Sequence, residues 1–179
     1  MKKKFIDYFM NIADLTSKLS YAKRLQVGAV IVKGNQIIGT GYNGMPTGWE
    51  NNCEDKQYMD IDAGGWLDPN EIEERWPYQE MHEIVSEDGC VDIPVRYRLK
   101  TKPEVLHAES NAIAKVSRST ESSENATMFC THAPCIECAK LIYQSGINTL
   151  YYREQYRDDS GVNFLKQGGV NVHKFTDSL

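Results

Sequence analysis

The stretch Thr127-Met-Phe-Cys-Thr-His-Ala-Pro-Cys-Ile-Glu-Cys-Ala-Lys-Leu-Ile-Tyr-Gln-Ser-Gly-Ile-Asn-Thr-Leu-Tyr-Tyr152 decides the fold class. It reads as a strand over Thr127–Cys130, a helix over Cys135–Ser145 stopped by Gly146, and a second strand over Asn148–Tyr152. The alternation continues with a helix near Val162–Gln167 and a strand over Val170–Phe175. Strand–helix–strand order of this kind implies parallel strands covered by helices.

Upstream, Phe5, Ile6, Phe9, Ile12, Ala13, Leu15 and Leu19 recur near a 3.6-residue period and predict a first helix. Val27–Val32 reads as a buried strand and Gln36–Thr40 as its hairpin partner, with Lys33-Gly34-Asn35 as the turn. Another helix is expected over His107–Arg118. Residues 47–105 break the pattern. They are polar and acidic, and apart from a short capped helix at Asp68–Trp76 they read as an irregular insertion within one 179-residue domain.

Composition narrows the function classes. With 41% hydrophobic and 25% charged residues, the chain has the makings of a packed core. Net charge is −5, and residues 47–105 carry 15 acidic against 6 basic side chains, which argues against a nucleic-acid binder. No apolar run approaches the roughly 20 residues of a membrane span. Met1-Lys-Lys-Lys4 resembles the start of a signal peptide, but Asp7, Asn11, Asp14 and Lys18 interrupt the segment that follows. A soluble, cytosolic protein is expected. Five cysteines, an odd number, argue for metal chemistry over a disulfide framework.

Two motifs carry chemistry: His107-Ala-Glu109 and Pro134-Cys135-Ile-Glu-Cys138. Cys-x-x-Cys at a helix start puts two sulfurs on one side of the first turn, where the helix dipole favours thiolates. His107 adds a third ligand. Three protein ligands leave a zinc ion one open position, the arrangement of a catalytic site. Glu109, two residues on, suits a general acid–base that is not itself a ligand. Each motif alone has plainer explanations. Cys-x-x-Cys is equally a structural or redox motif, and a fourth ligand from Cys53, Cys130 or His132 would close the site. His132 reads as a pocket-wall or capping residue, Cys130 as core, and His173 as carrying no special role.

Together the motifs resemble the zinc nucleobase deaminases, whose fingerprint is His-x-Glu followed by Pro-Cys-x-x-Cys. The resemblance extends to Gln26–Lys33, Gly41-Tyr-Asn-Gly44-Met-Pro46, His107–Ile113, Thr131–Lys140 and Ser145–Tyr152. It identifies the chain as a member of the cytidine deaminase-like superfamily, within it the phage-type deoxycytidylate (dCMP) deaminases. That implies a three-layer α/β/α fold on a mixed five-stranded sheet. It also implies hydrolysis of dCMP to dUMP and ammonia, supplying dUMP for dTMP synthesis.

By the same resemblance Asn43 lies near the substrate sugar, and Tyr156 packs on sugar or base. The backbone at Ala108 and at Pro134-Cys135 faces the base, and Arg24 is the first choice for the phosphate among Lys23, Arg24, Arg118, Arg153 and Arg157. Regulation by dCTP with Mg²⁺ and by dTTP in a homo-hexamer is implied, with Gly44 and Arg118 in effector or subunit contacts. A second, structural zinc on Cys53, His82 and Cys90 is a further implication. The location implied is cytoplasmic, the host cytosol if the protein is phage-encoded. The competing readings are a tRNA adenosine deaminase, a deaminase that also accepts dCTP, and a zinc-stabilised binding module without catalysis. Histidine at 107 separates the chain from free-cytidine deaminases, which resemble Cys-Ala-Glu at that point.

Overall fold

The computed structural model describes residues 1–59, 68–86 and 89–176. It comprises two compact units, Met1–Cys53 with Glu104–Leu179, and Glu54–Pro103. In chain order the elements are α1 (Lys3–Ser17), β1 (Gly28–Lys33), β2 (Gln36–Tyr42), β3 (Glu54–Tyr58), α2 (Pro69–Arg75), β4 (Tyr78–Ser86) and β5 (Gly89–Thr101). There follow α3 (Ala108–Ser117), β6 (Thr127–His132), α4 (Ile136–Gln144), β7 (Thr149–Glu154), α5 (Ser160–Gln167) and β8 (Asn171–Lys174).

The larger unit is built on a five-stranded sheet in the order β2-β1-β6-β7-β8. β1 runs antiparallel to β2 and β6, while β6, β7 and β8 are parallel. The β1–β2 hairpin turns on Gly34 and Asn35, both at positive φ (56° and 65°), the two-residue geometry whose twist matches the strands. Strand residues alternate between two cores, as a period of two requires. Val30, Val32 and Phe129 pack under α1 with Phe9, Met10 and Ala13. Ala29, Ile31, Met128, Cys130 and Leu150 pack against Ala108, Ala112 and Val116 of α3, Ala139 and Ile142 of α4, and Val162 and Leu165 of α5. The result is the expected three layers, with Cys130 in the core.

α3 lies unusually close to the sheet. A Cβ on Gly41 would fall 2.1 Å from the Ala108 carbonyl oxygen and 2.5 Å from the Ala112 amide nitrogen. Only glycine permits that approach, and it seats the first turn of α3 directly on β2.

The smaller unit departs from the irregular insertion expected. Besides α2, capped as predicted by the Asp68 carboxylate accepting from Asn70 N–H at 2.8 Å, it holds a three-stranded antiparallel sheet, β3-β5-β4. Ile93, Val95, Tyr97 and Leu99 share one face of β5 and alternate with Pro94, Arg96, Arg98 and Lys100. Among the described residues β3 pairs only with Tyr97–Thr101, so at Pro94 the described ladder is with β4 alone, where a missing N–H is tolerated. On the aromatic face Glu80 accepts hydrogen bonds from Lys56 and from Tyr58, and pairs with His82.

Candidate metal centre

His107 and Cys135 are the N-cap residues of α3 and α4, both with extended backbone. Cys138 lies one turn further along α4. The ligand atoms of these three residues all lie within 4.8 Å of one another. His107 Nδ1 is 3.6 Å from Cys135 Sγ and 3.4 Å from Cys138 Sγ. A tetrahedral zinc, with Zn–N about 2.1 Å and Zn–S about 2.3 Å, sets such N and S ligands about 3.6 Å apart. Both nitrogen–sulfur distances therefore match those of a tetrahedral zinc site.

The electrostatics favour a cation. Hydrogen bonds from the Cys138 thiol and from His107, with burial opposing, pull the Cys135 pKa down to about 3. Cys138, hydrogen-bonded to Cys135 and buried, is pushed far above the ordinary thiol range. Its hydrogen bond to Cys135 and the nearby Glu109 charge raise the His107 pKa against the effect of burial. These groups hold shared protons at short range, and a divalent cation replaces them while neutralising two thiolates.

Among the described residues no other His, Cys, Asp or Glu joins the trio. Cys130 is buried in the core. The Gly28 N–H donates to Thr131 Oγ1 (3.1 Å), which leaves the Thr131 hydroxyl to meet His132 Nδ1 at 3.1 Å. Cys53 packs with Ala22, Val105 and Met45. One tetrahedral corner is therefore left by the protein, and His107 is exposed beside it while Cys138 is buried.

Glu109, in the first turn of α3, is 4% exposed. Burial raises its carboxyl pKa, with a hydrogen bond from the Glu109 backbone N–H and the nearby His107 acting against it. A carboxyl that is costly to ionise, next to a metal position, suits a group that must gain and lose a proton within one turnover.

The other residues singled out from sequence fall as follows. Ala108 and Pro134 are fully buried in the two chain segments that carry the ligands. Gly44 is buried and exchanges two backbone hydrogen bonds with Leu106, at 3.1 and 2.9 Å, one residue before His107. The Asn43 carboxamide accepts from Val27 N–H (2.7 Å) and donates to the Leu25 carbonyl (2.8 Å), so it staples the approach to β1 onto the end of β2. One Nδ2 hydrogen and one Oδ1 lone pair are left over for a ligand. Tyr156 packs against the core on the α3–α5 side, with Arg157 over its ring at 5.9 Å. Arg24 is exposed on the segment between α1 and β1, and Arg118 is the exposed C-cap of α3.

Among the described residues, the small sheet does not bring His82 and Cys90 of the expected second metal site onto one face. His82 is paired with Ile93 and Cys90 with Val85, an odd offset that puts His82 and Cys90 on opposite faces of the small sheet. His82 Nε2 already meets Glu80 at 2.9 Å. Sequence reasoning missed Gln26, whose side-chain amide donates to the Ser20 carbonyl, and Asn111, whose Nδ2 donates to the Tyr42 carbonyl at 3.0 Å and ties α3 to β2. Neither has a motif of its own.

The chain is similar to a group of known zinc-binding proteins. The family described as the cytidine and deoxycytidylate deaminase zinc-binding region matches residues 3–154. A crystal structure of the dCMP deaminase from cyanophage S-TIM5 in complex with dCMP and dUMP superposes with a TM-score of 0.71 and 35% identity, covering 98% of this chain and 99% of that one. The deoxycytidylate deaminase of enterobacteria phage T4 is 39% identical over 91% of this chain and 86% of its own length. That of Saccharomyces cerevisiae is 30% identical over 98% of this chain, which spans 46% of the yeast protein.

Proposed function

The chain belongs to the cytidine and deoxycytidylate deaminase zinc-binding family, and from that premise we infer that it hydrolyses dCMP to dUMP and ammonia. The observation that carries the reading is the convergence of His107, Cys135 and Cys138 with one corner left over and the Glu109 carboxyl alongside.

His107, Cys135 and Cys138 would hold zinc, which when bound would supply a Lewis acid that makes water nucleophilic at neutral pH. Glu109 does the proton work. Its carboxylate takes a proton from the attacking water and delivers it to N3 of the cytosine ring as C4 becomes tetrahedral. A second proton passes through the same carboxyl to the exocyclic nitrogen, which leaves as ammonia while the C4 carbonyl of uracil forms. The buried setting of Glu109 brings its two protonation states closer in energy, as a shuttle needs. The Cys135 N–H and the backbone at Ala108 supply fixed dipoles for the developing charge on the base.

Asn43 is assigned to the sugar through its spare donor and acceptor, Tyr156 to packing on the nucleoside, and Arg24 to the phosphate. Asn43→Ala removes two backbone anchors. It is expected to destabilise the protein by about 1–2 kcal/mol and to raise KM for dCMP more than it lowers kcat. A lowered melting temperature with an unchanged KM would confine Asn43 to the structural role.

Regulation by dCTP with Mg²⁺ and by dTTP, with Gly44 and Arg118 in the effector or subunit contacts, completes the reading. The exposed Tyr8, Leu15, Leu19 and Tyr21 along and just beyond α1 support a homo-oligomer, with a hexamer as the form to test by light scattering. Among the described residues no helix is long and apolar enough to cross a membrane, and the cytosol, that of the host if the protein is phage-encoded, is the proposed location.

Ammonia release from dCMP, dCTP, cytidine and tRNA, each with and without dCTP plus Mg²⁺, tests substrate and regulation together. dCMP is expected to dominate, with a sigmoidal dependence that dCTP makes hyperbolic and dTTP suppresses. Faster release from tRNA would overturn the substrate, and indifference to both nucleotides would remove the regulation.

A further inference from the structure

We propose that Gly161 is a positioning residue for the metal centre: its lack of a side chain lets α5 bear directly on the Pro134–Cys135 peptide and fixes where Cys135 presents its sulfur and its amide. The proposal rests on the reading of His107, Cys135 and Cys138 as a zinc site.

Gly161 is buried in the first turn of α5. A Cβ built there would fall 2.1 Å from the Pro134 carbonyl oxygen, 2.9 Å from that of Cys135 and 3.0 Å from the Cys135 carbonyl carbon. All three are backbone atoms, so no side-chain rotation relieves the clash. The backbone of Gly161 lies outside the positive-φ region, so conformation does not require glycine there. Glycine costs a helix about 1 kcal/mol relative to alanine, and the space it leaves for the ligand-bearing peptide accounts for its presence.

α5 is packed closely on the helix that carries the cysteine ligands. Asp158 accepts from Ser160 N–H at 2.9 Å, and Asn163 N–H donates to the Asp159 carbonyl at 2.8 Å. Val162 and Leu165 are locked into the core beside Ala139 and Ile142 of α4. Phe164 meets the Tyr143 ring edge-on at 5.9 Å. The metal-bearing segment is held from its other side, where Ala133 N–H donates to the Glu154 carbonyl of β7 at 2.8 Å. An added methyl at position 161 therefore forces α5 and the ligand-bearing segment apart, and the segment cannot keep its place against it.

The displacement reaches both sulfurs. The Cys135 carbonyl that faces Gly161 also accepts the first helical bond of α4, from Ala139 N–H at 2.9 Å, in the turn that carries Cys138. The Pro134–Cys135 peptide is trans and planar. With the Pro134 carbonyl directed at α5, the Cys135 N–H points away from it. Metal ligands tolerate only about 0.2 Å of error, and a methyl that must clear a 2.1 Å contact demands more than that.

The test compares Gly161→Ala with Gly28→Ala. A Cβ at Gly28 would meet Ala13 O at 2.1 Å and Ser17 N at 2.6 Å, a clash of the same kind made on α1 instead of the ligand segment. Zinc affinity is read by chelator competition, coordination by the absorption spectrum of the Co²⁺-substituted protein, and stability by thermal melting. Both variants should melt lower than the wild type. Gly161→Ala should bind zinc about 10- to 100-fold more weakly, with a changed Co²⁺ spectrum, whereas Gly28→Ala should stay within about twofold of wild type. Wild-type affinity in Gly161→Ala, or an equal loss in both variants, would overturn the proposal.

If Gly161→Ala does not fold, hydrogen exchange on the wild-type protein decides. Stripping zinc should deprotect the amides of residues 160–164 together with those of 135–139, and unchanged protection of α5 would overturn the proposal. A wild-type protein that binds no zinc at all would instead refute the metal site itself.

Discussion

Glu109→Gln is expected to abolish dCMP deamination while zinc remains bound. A positioned proton-transfer group contributes about 10²- to 10⁴-fold, and this one carboxyl serves both protonations, so a loss of at least about 10³-fold in kcat is expected. Glutamine keeps the shape and hydrogen-bonding reach but carries no transferable proton. Folding provides an internal control whose sign can be worked out. Burial raises the Glu109 pKa, so the ionised form is costlier in the folded protein than in the unfolded chain. Near neutral pH the neutral amide removes that cost, and the metal-free variant should melt no lower than the metal-free wild type. Ammonia release, zinc content and melting temperature on one preparation check all three statements. Turnover above about a tenth of wild type would leave Glu109 without its assigned role.

Cys138→Ser is expected to lose the metal and the activity together. Serine is nearly isosteric, but its oxygen is a harder and more weakly acidic ligand than sulfur. Cys138 is also the most buried of the trio, at 3% exposed, so no solvent-borne group readily replaces it. Zinc affinity should fall by more than the roughly 10- to 100-fold typical of partners one step removed from a metal, with turnover at background. Added zinc should restore the stripped wild type and not the variant. The two substitutions separate two functions, since Glu109→Gln keeps zinc without turnover and Cys138→Ser loses both. A Cys138→Ser protein that retained stoichiometric zinc through chelation would remove Cys138 from the ligand set.

What could be read before folding divides along physical lines. The larger unit was legible because its signals are local. Val27–Val32 is apolar enough to be buried on both faces, Gly34-Asn35 is a turn, and Gly146 stops a helix at φ 77°. The metal trio was legible because ligand spacing along a helix start is a local constraint too. The small sheet was read as irregular because Pro94 and the acidic residues around β4 masked the alternation of Ile93, Val95, Tyr97 and Leu99 in β5. Spacing alone does not reveal that His82 and Cys90 occupy opposite faces of the small sheet, because that depends on the strand register. Asn43 stood out as a residue type, but its bonds to Leu25 and Val27 cross about 16 to 18 positions of sequence. Gly161 gave no signal at all, because what it accommodates is the Pro134–Cys135 peptide, a segment distant in sequence.

The pairing of Glu54 with Thr101 has a consequence for how this chain is assembled. Partners in an antiparallel ladder stand about 5 Å apart, so the polypeptide leaves for its detour and comes back at neighbouring points. Such a module resembles a cassette spliced between two adjacent splice points: a short turn closes the same gap that these fifty residues span. Replacing the whole detour with such a turn therefore asks for no rearrangement of the two chain ends that flank it.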